Sequence, residues 1–259
     1  MSAFLFPSPI FGPVHSRRLG TSLGVNLLPE SGKVCTFDCI YCECGLNNQV
    51  KTNDKMPTRE LVREELERTL SEMKNRGDQL DIITFAGNGE PTAHPKFAEI
   101  IDDTISLRDR YYPNTKIGVL TNGTQIHKPK VFEALKKIED NIQKLDTVDE
   151  AYINRIDRPV SHYSLSEQIE RLKAFEGKLK IQTMFMGGKD SDGVDVDNTT
   201  EEFVGPWLEV VKALAPQEVM IYTLDRDTPL HQLKKTPPEV LDGIAERLRQ
   251  AGLKVVIGY

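Results

Sequence analysis

Short apolar runs alternate along this chain with longer stretches in which apolar residues recur every three or four positions. The runs Leu23–Leu28, Leu80–Phe85, Lys116–Leu120, Ile142–Leu145, Leu179–Met186, Glu218–Tyr222 and Lys254–Ile257 predict strands. The periodic stretches Thr58–Lys74, Pro95–Arg110, Pro129–Ile138, Ser164–Phe175, Glu201–Leu214 and Pro238–Ala251 predict helices. Their ends carry the expected signals: Glu60 and Glu64 put acids near the start of the first, and Gly252 follows the last. No low-complexity segment or short internal repeat interrupts the pattern.

Strands separated by helices of this length imply parallel pairing through right-handed crossovers. Such units build a doubly wound sheet or a full or partial barrel, and both bind ligands at the carboxyl ends of their strands. Polar, glycine-rich or acidic segments fall at those ends here, after Phe85, Leu120, Met186 and Tyr222. No composition shift marks a boundary within residues 21–259, and residues 1–20 read as an arm laid across that one domain.

The 259 residues are 39% hydrophobic and 28% charged, ordinary for a soluble α/β domain with a full core. A formal net charge of -6 argues against a surface devoted to nucleic acid. Pro7, Pro9 and Pro13 break the apolar start, so a secretory leader is not expected. No apolar run is long enough to span a bilayer, which leaves no membrane partner and a cytoplasmic location as expectations.

All 4 cysteines lie between positions 35 and 44, in Cys35-Thr-Phe-Asp-Cys39-Ile-Tyr-Cys42-Glu-Cys44. Disulfides that stabilise a secreted fold close longer loops, so this crowding points to a metal. Structural zinc takes a second, distant cysteine pair, and the chain has none. Two iron–sulfur arrangements stand beside zinc: a closed four-thiolate cluster using Cys44, or three thiolates on a cluster with one iron open.

The CxxxCxxC spacing with Tyr41 before its last cysteine, just after a strand, resembles the radical SAM superfamily. That resemblance implies a partial or near-complete parallel (β/α) barrel. It also implies a [4Fe-4S] cluster on Cys35, Cys39 and Cys42 whose open iron is chelated by S-adenosyl-L-methionine. In the family a glycine-rich turn after the second strand receives the methionine amino group. Gly87, Asn88, Gly89 and Glu90, ahead of Pro91-Thr92, are similar to that element; taken alone, Gly-Asn-Gly is also ordinary turn material. Asn122 in Thr121–Thr124 resembles a further cofactor segment. Lys144 and Asp146 share one side of a strand by alternation and look like the pair that contacts the ribose. Two solvated charges at a strand end would look the same. Gln182 matches a polar cofactor contact, or is a buried glutamine satisfied by backbone.

The segments Gly12–Gly20, Ser22–Pro29, CTFDCIYCECG, AGNGEPT and YTLDRDTP resemble the radical SAM branch related to the wybutosine-forming tRNA enzymes. Three features depart from those enzymes: no cysteine precedes Cys35, the chain is acidic, and it carries no flavodoxin module. The resemblance therefore implies an external one-electron reductant of flavodoxin or ferredoxin type. The implied activity is reductive cleavage of S-adenosylmethionine to a 5′-deoxyadenosyl radical, which takes hydrogen from a peptide or protein, a metabolite or an RNA base. Competing readings are a tRNA-modifying member of the family, an electron-transfer iron–sulfur protein and a zinc-binding module. No catalytic side chain is assigned. Arg17 and Arg18 suit either an anionic ligand or a salt bridge pinning the arm. The acidic Asp190–Asp197 stretch reads as a solvated loop or a lid, and Met184 and Met186 as core or pocket lining.

Overall fold

The computed structural model describes residues 3–16 and 18–259, so Arg17 lies outside the described residues. The chain forms two compact units. One comprises Leu5–Thr36 and Asn47–Asn141; the other comprises Phe37–Leu46 and Ile142–Tyr259, with the residues up to Phe4. Cys35 therefore belongs to the first unit, and Cys39, Cys42 and Cys44 to the second.

In the first unit four strands run in the order β1 (Ile10–Ser16), β2 (Gly20–Val25), β3 (Ile82–Phe85) and β4 (Lys116–Thr121). β2, β3 and β4 pair in parallel, as the alternation predicts. β1 lies antiparallel on β2, with an irregularity between Phe11 and Val14. The segment expected to be an arm thus supplies an edge strand. Pro13, which cannot donate to a ladder, sits within that irregularity. β2 also begins and ends earlier than its apolar run. Leu27 and Leu28 are each 1% exposed, yet they follow the strand.

Three helices cover this unit: α1 (Arg59–Arg76), α2 (Phe97–Tyr111) and α3 (Pro129–Lys136). The Thr58 hydroxyl caps α1 by accepting from Leu61 N at 3.2 Å, and Gly77 ends it in the left-handed region at φ 76. α1 buries Val62, Leu66, Leu70 and Met73, a stripe at helical spacing. Each such burial contributes about 1.5–3 kcal/mol before chain entropy is counted. Asp103 of α2 accepts from Arg59 at 2.6 and 2.9 Å and from Arg63 at 2.9 Å, which ties α2 to α1.

β5 (Asp140–Lys144) begins with the last two residues of the first unit and continues in the second, which carries α4 (Glu150–Ile156), α5 (Leu165–Lys173), β6 (Lys180–Met184), β7 (Met186–Gly188), α6 (Glu201–Leu214), β8 (Glu218–Tyr222), β9 (Leu233–Lys235), α7 (Pro238–Gln250) and β10 (Val255–Gly258). β5, β6, β8 and β10 pair in parallel in that order. The run Leu179–Met186 divides at Phe185. There the backbone turns from β6 into β7, and Phe185 N donates to Tyr222 O at 2.8 Å. β7 then pairs antiparallel with β9 as a separate two-stranded ribbon. Phe185 and Trp207 meet edge to face at 5.4 Å, and the Trp207 indole donates to Leu145 O at 3.0 Å. Met184 and Met186 lie in the apolar cluster of Ile40, Tyr41, Tyr152, Ile156, Val196 and Leu224. Among the described residues no helix is long and apolar enough to cross a membrane.

Candidate cofactor site

In the first unit the glycine turn and the loop before Cys35 are built into one another. Val34 N donates to Asn88 O at 2.9 Å and Glu90 N to Val34 O at 3.1 Å. Gly87 and Gly89 adopt φ +144 and +134. A Cβ on Gly89 would meet Val34 O at 1.9 Å, and one on Gly87 would meet Asn26 Oδ1 at 2.5 Å. Close backbone approach thus requires glycine at position 89, and the positive φ together with the packed Asn26 side chain requires it at position 87. The Asn88 side chain, fully buried, accepts from Phe6 N at 2.8 Å and donates to Phe6 O at 3.0 Å and Pro29 O at 2.9 Å. Asn26, also fully buried, holds the same segment through Phe6 O and Pro7 O.

Glu90, 2% exposed, caps the short 3-10 turn Pro91–Ala93. Its Oε1 accepts from Thr92 N at 3.0 Å, Thr92 Oγ1 at 2.5 Å and Thr121 Oγ1 at 2.6 Å, and its Oε2 from Asn122 N at 2.7 Å. Burial raises its pKa, and those hydrogen bonds oppose the shift. Glu90, part of the turn expected to receive the cofactor amine, is already held by four donors of its own unit. Asn122, by contrast, stands at a thiol: its Nδ2 lies 3.8 Å from Cys35 Sγ and 2.9 Å from Thr36 Oγ1. Arg18 contributes its backbone N–H to Ser16 Oγ at 3.4 Å.

In the second unit, Tyr41, Lys144 and Asp146 converge. The Tyr41 hydroxyl donates to Asp146 Oδ2 and lies 3.4 Å from Asp157 Oδ1. The Lys144 ammonium donates to Tyr41 OH, pairs with Asp146 and stands 3.0 Å from Asp157 Oδ1. Strand alternation does bring Lys144 and Asp146 to one side, where they bind each other. Burial lowers the Lys144 pKa, but Asp146 and Asp157 outweigh it and hold the ammonium charged. Burial foremost pushes Tyr41 well above its ordinary value, with Asp146 and Asp157 adding to it. Burial also raises Asp157 to about 6 against the opposing charge of Lys144, and Asp157 hydrogen-bonds Cys39.

Asp157 escaped the sequence reading because it closes the seven-residue α4, and nothing local distinguishes it. Its loop is nonetheless fixed: Asp38 N donates to Asp157 O and Ile40 N to Ile156 O, both at 2.9 Å. Gln182 Nε2 donates to Tyr222 OH at 3.1 Å, while its Oε1 is buried without a partner among the described residues. The Asp190–Asp197 loop is anchored, since Asp190 is 1% exposed, pairs with Arg155 and accepts from Asp192 N and Val194 N at 2.9 Å.

These donors suit the implied groups. Cys35, Cys39 and Cys42 are partly exposed thiols, whereas Cys44 is 5% exposed. The unmatched Gln182 Oε1 is an acceptor awaiting a donor. Among the described residues no three His, Cys, Asp or Glu side chains gather about a single ion. A [4Fe-4S] cluster asks for no such convergence, because each thiolate binds its own iron.

The radical SAM superfamily model matches residues 30–203. A UPF0026 protein of Methanocaldococcus jannaschii is 30% identical over 240 residues, covering 90% of this chain and 69% of the relative. Streptococcus suis SuiB, solved with S-adenosylmethionine, shares the fold at TM-score 0.63 and 16% identity over 88% of this chain; the chain spans 48% of SuiB. Archaeal TYW1 shares it at TM-score 0.54 and 13% identity, over 89% of this chain and 72% of that one. The fold is the partial (β/α) barrel of radical SAM enzymes. Those enzymes use a [4Fe-4S] cluster with S-adenosylmethionine and an external reductant. The chain belongs to the radical SAM superfamily and to the UPF0026 family.

Proposed function

We propose that the chain is a radical SAM enzyme in which Cys35, Cys39 and Cys42 hold one [4Fe-4S] cluster. When bound and reduced, the cluster supplies the electron that cleaves S-adenosylmethionine to methionine and a 5′-deoxyadenosyl radical, which takes hydrogen from a substrate. The observation that carries the reading is the contrast within one segment: three partly exposed thiols at CxxxCxxC spacing and a fourth, Cys44, buried.

The chain's own residues position and tune. Asn122 directs an N–H toward Cys35, and Asp157 reaches Cys39; both contacts act on a ligand sulfur from outside it. Lys144 and Asp146 serve the cofactor ribose, with Tyr41 and Asp157 fixing their rotamers. Gln182 offers its unmatched Oε1 to a donor of the same cofactor. The glycine turn at Gly87–Gly89, with Asn88, contributes backbone groups, while Glu90 holds that turn rigid. The substrate is a peptide or protein, a metabolite or an RNA base, and the electron comes from a flavodoxin or ferredoxin.

Anaerobic reconstitution with iron and sulfide, followed by dithionite and S-adenosylmethionine, tests the proposal. The expected product is 5′-deoxyadenosine, measured chromatographically. A fully loaded and reduced protein that yields none, with candidate substrates of each class present, would overturn it.

A further inference from the structure

The β7–β9 ribbon borders a cleft of about 780 Å³, within the size range of small-molecule sites. Lys189, Lys234, Lys235 and His231 line it, together with Asp195 and Asp197. None of the three lysines has a carboxylate partner among the described residues, whereas surface lysines elsewhere in this unit, such as Lys173 and Lys212, are paired. Thr236 also lines the cleft. It is 2% exposed, and its Oγ1 has no hydrogen-bond partner among the described residues. A buried hydroxyl left unmatched is uncommon and points to a group supplied from outside. Beside it, α7 starts at Pro238, and the preceding Pro237 offers no side chain to cap its first amides.

The floor is equally telling. Gly187, on β7, needs no positive φ, and a Cβ there would touch only Asp197, at 3.8 Å. The fold therefore does not demand glycine at this position. Its missing side chain leaves backbone open to the cleft, as happens where a ligand approaches a strand closely. Gly188 differs: its φ is +100, and a Cβ there would lie 2.2 Å from the Gln232 carbonyl oxygen, so the fold requires it. The acids keep free acceptors. Asp197 Oδ1 takes Thr199 N at 2.8 Å and Thr199 Oγ1 at 2.6 Å, and Asp195 Oδ1 takes Asp197 N at 3.0 Å, leaving each Oδ2 for a ligand.

We propose that this cleft binds a sugar phosphate, free or within a nucleotide, with its phosphate on Lys189, Lys234 and Lys235 and its hydroxyls on Asp195 and Asp197. A phosphate is favoured over a lone carboxylate because it offers three strong acceptor oxygens and a higher charge to the three ammonium groups. Thr236 supplies the remaining hydrogen bond.

Equilibrium dialysis of the purified full chain with ribose 5-phosphate and with uridine monophosphate tests the site without any radical chemistry. Saturable binding by either, at about millimolar or tighter, is expected. Gly187→Val and Lys234→Glu/Lys235→Glu should each weaken it at least about tenfold, a loss of about 1.4 kcal/mol, while melting temperature is unchanged. Comparable affinities for both probes identify a sugar phosphate, and tighter binding of the nucleotide identifies a nucleotide. Absence of saturable binding to the wild-type chain, or unchanged affinity in a folded variant of either kind, overturns the proposal. Formation of 5′-deoxyadenosine without either probe reports separately on the proposed function.

Discussion

Asn122 sets its Nδ2 3.8 Å from Cys35 Sγ while its Oδ1 accepts from Thr36 Oγ1 at 3.2 Å and Thr124 Oγ1 at 2.8 Å. The amide is oriented by two hydroxyls, so the N–H that reaches the sulfur is held in place. Hydrogen bonds to a cluster sulfur stabilise the more negative, reduced state. Asn122→Ala should keep the iron and lower the midpoint potential by tens of millivolts, as the loss of about one hydrogen bond implies. A potentiometric titration followed by EPR checks this, and an unmoved midpoint would leave Asn122 only a packing role.

Tyr41→Phe removes one hydroxyl from a set of buried charges. Lys144, Asp146 and Asp157 remain, each losing a polar neighbour in a site where Asp146 and Asp157 expose 2% and 3% of their side chains. The variant should lose about 1–3 kcal/mol of stability. Its affinity for S-adenosylmethionine should fall as Lys144 and Asp146 lose their fixed rotamers. Urea unfolding and equilibrium binding measure the two effects, and loss of stability with unchanged affinity would make this group of side chains purely structural.

Cys44→Ala should retain wild-type iron and sulfide, whereas alanine at Cys35, Cys39 or Cys42 should lose them. Cys44 is packed at 5% exposure, and its neighbour Glu43 pairs with Arg226 at 2.7 Å. Iron and sulfide analysis after reconstitution decides between three ligands and four. Equal loss in all four variants would indicate a closed cluster.

Glu90 makes folding take up a proton, because burial raises its pKa in the folded chain above the ordinary 4.5. Its contribution is complete below pH 4.5 and is lost as pH rises through the folded value. Glu90→Gln should therefore flatten the decline in melting temperature above that pH. It should also cost about 1–3 kcal/mol, since an amide nitrogen would face Asn122 N in place of Oε2. Glu90→Ala, which abandons every donor, should cost more than either effect. A melting curve series across pH reads both, and a variant with the wild-type pH slope would contradict the assignment.

The strands and helices that alternation could reveal were those whose burial is periodic, such as α1 with Val62, Leu66, Leu70 and Met73. β1 was hidden because Gly12 and Pro13 interrupt its apolar pattern, and its identity comes from pairing with β2. The cysteines were legible because a ligand set must be spelled in residue types at fixed spacing. Asn26, Asp157 and Asn198 were not, because their partners are distant in sequence. Asn198, for example, accepts from Met186 N at 3.0 Å and donates to Met184 O at 2.9 Å, spanning the break between β6 and β7. Such residues look like any polar loop position until the chain returns to them.

The backbone bonds that join Val34 to Asn88 and Glu90 have one more consequence. They make the stretch entering Cys35 and the glycine turn a single cooperative element, with Val34 contributing both its N–H and its carbonyl. Neither side can open to solvent while the other stays closed. In hydrogen exchange the amides of Val34 and Glu90 should share one opening free energy, and any ligand that quiets the turn will slow exchange at the first cysteine's neighbour by the same factor.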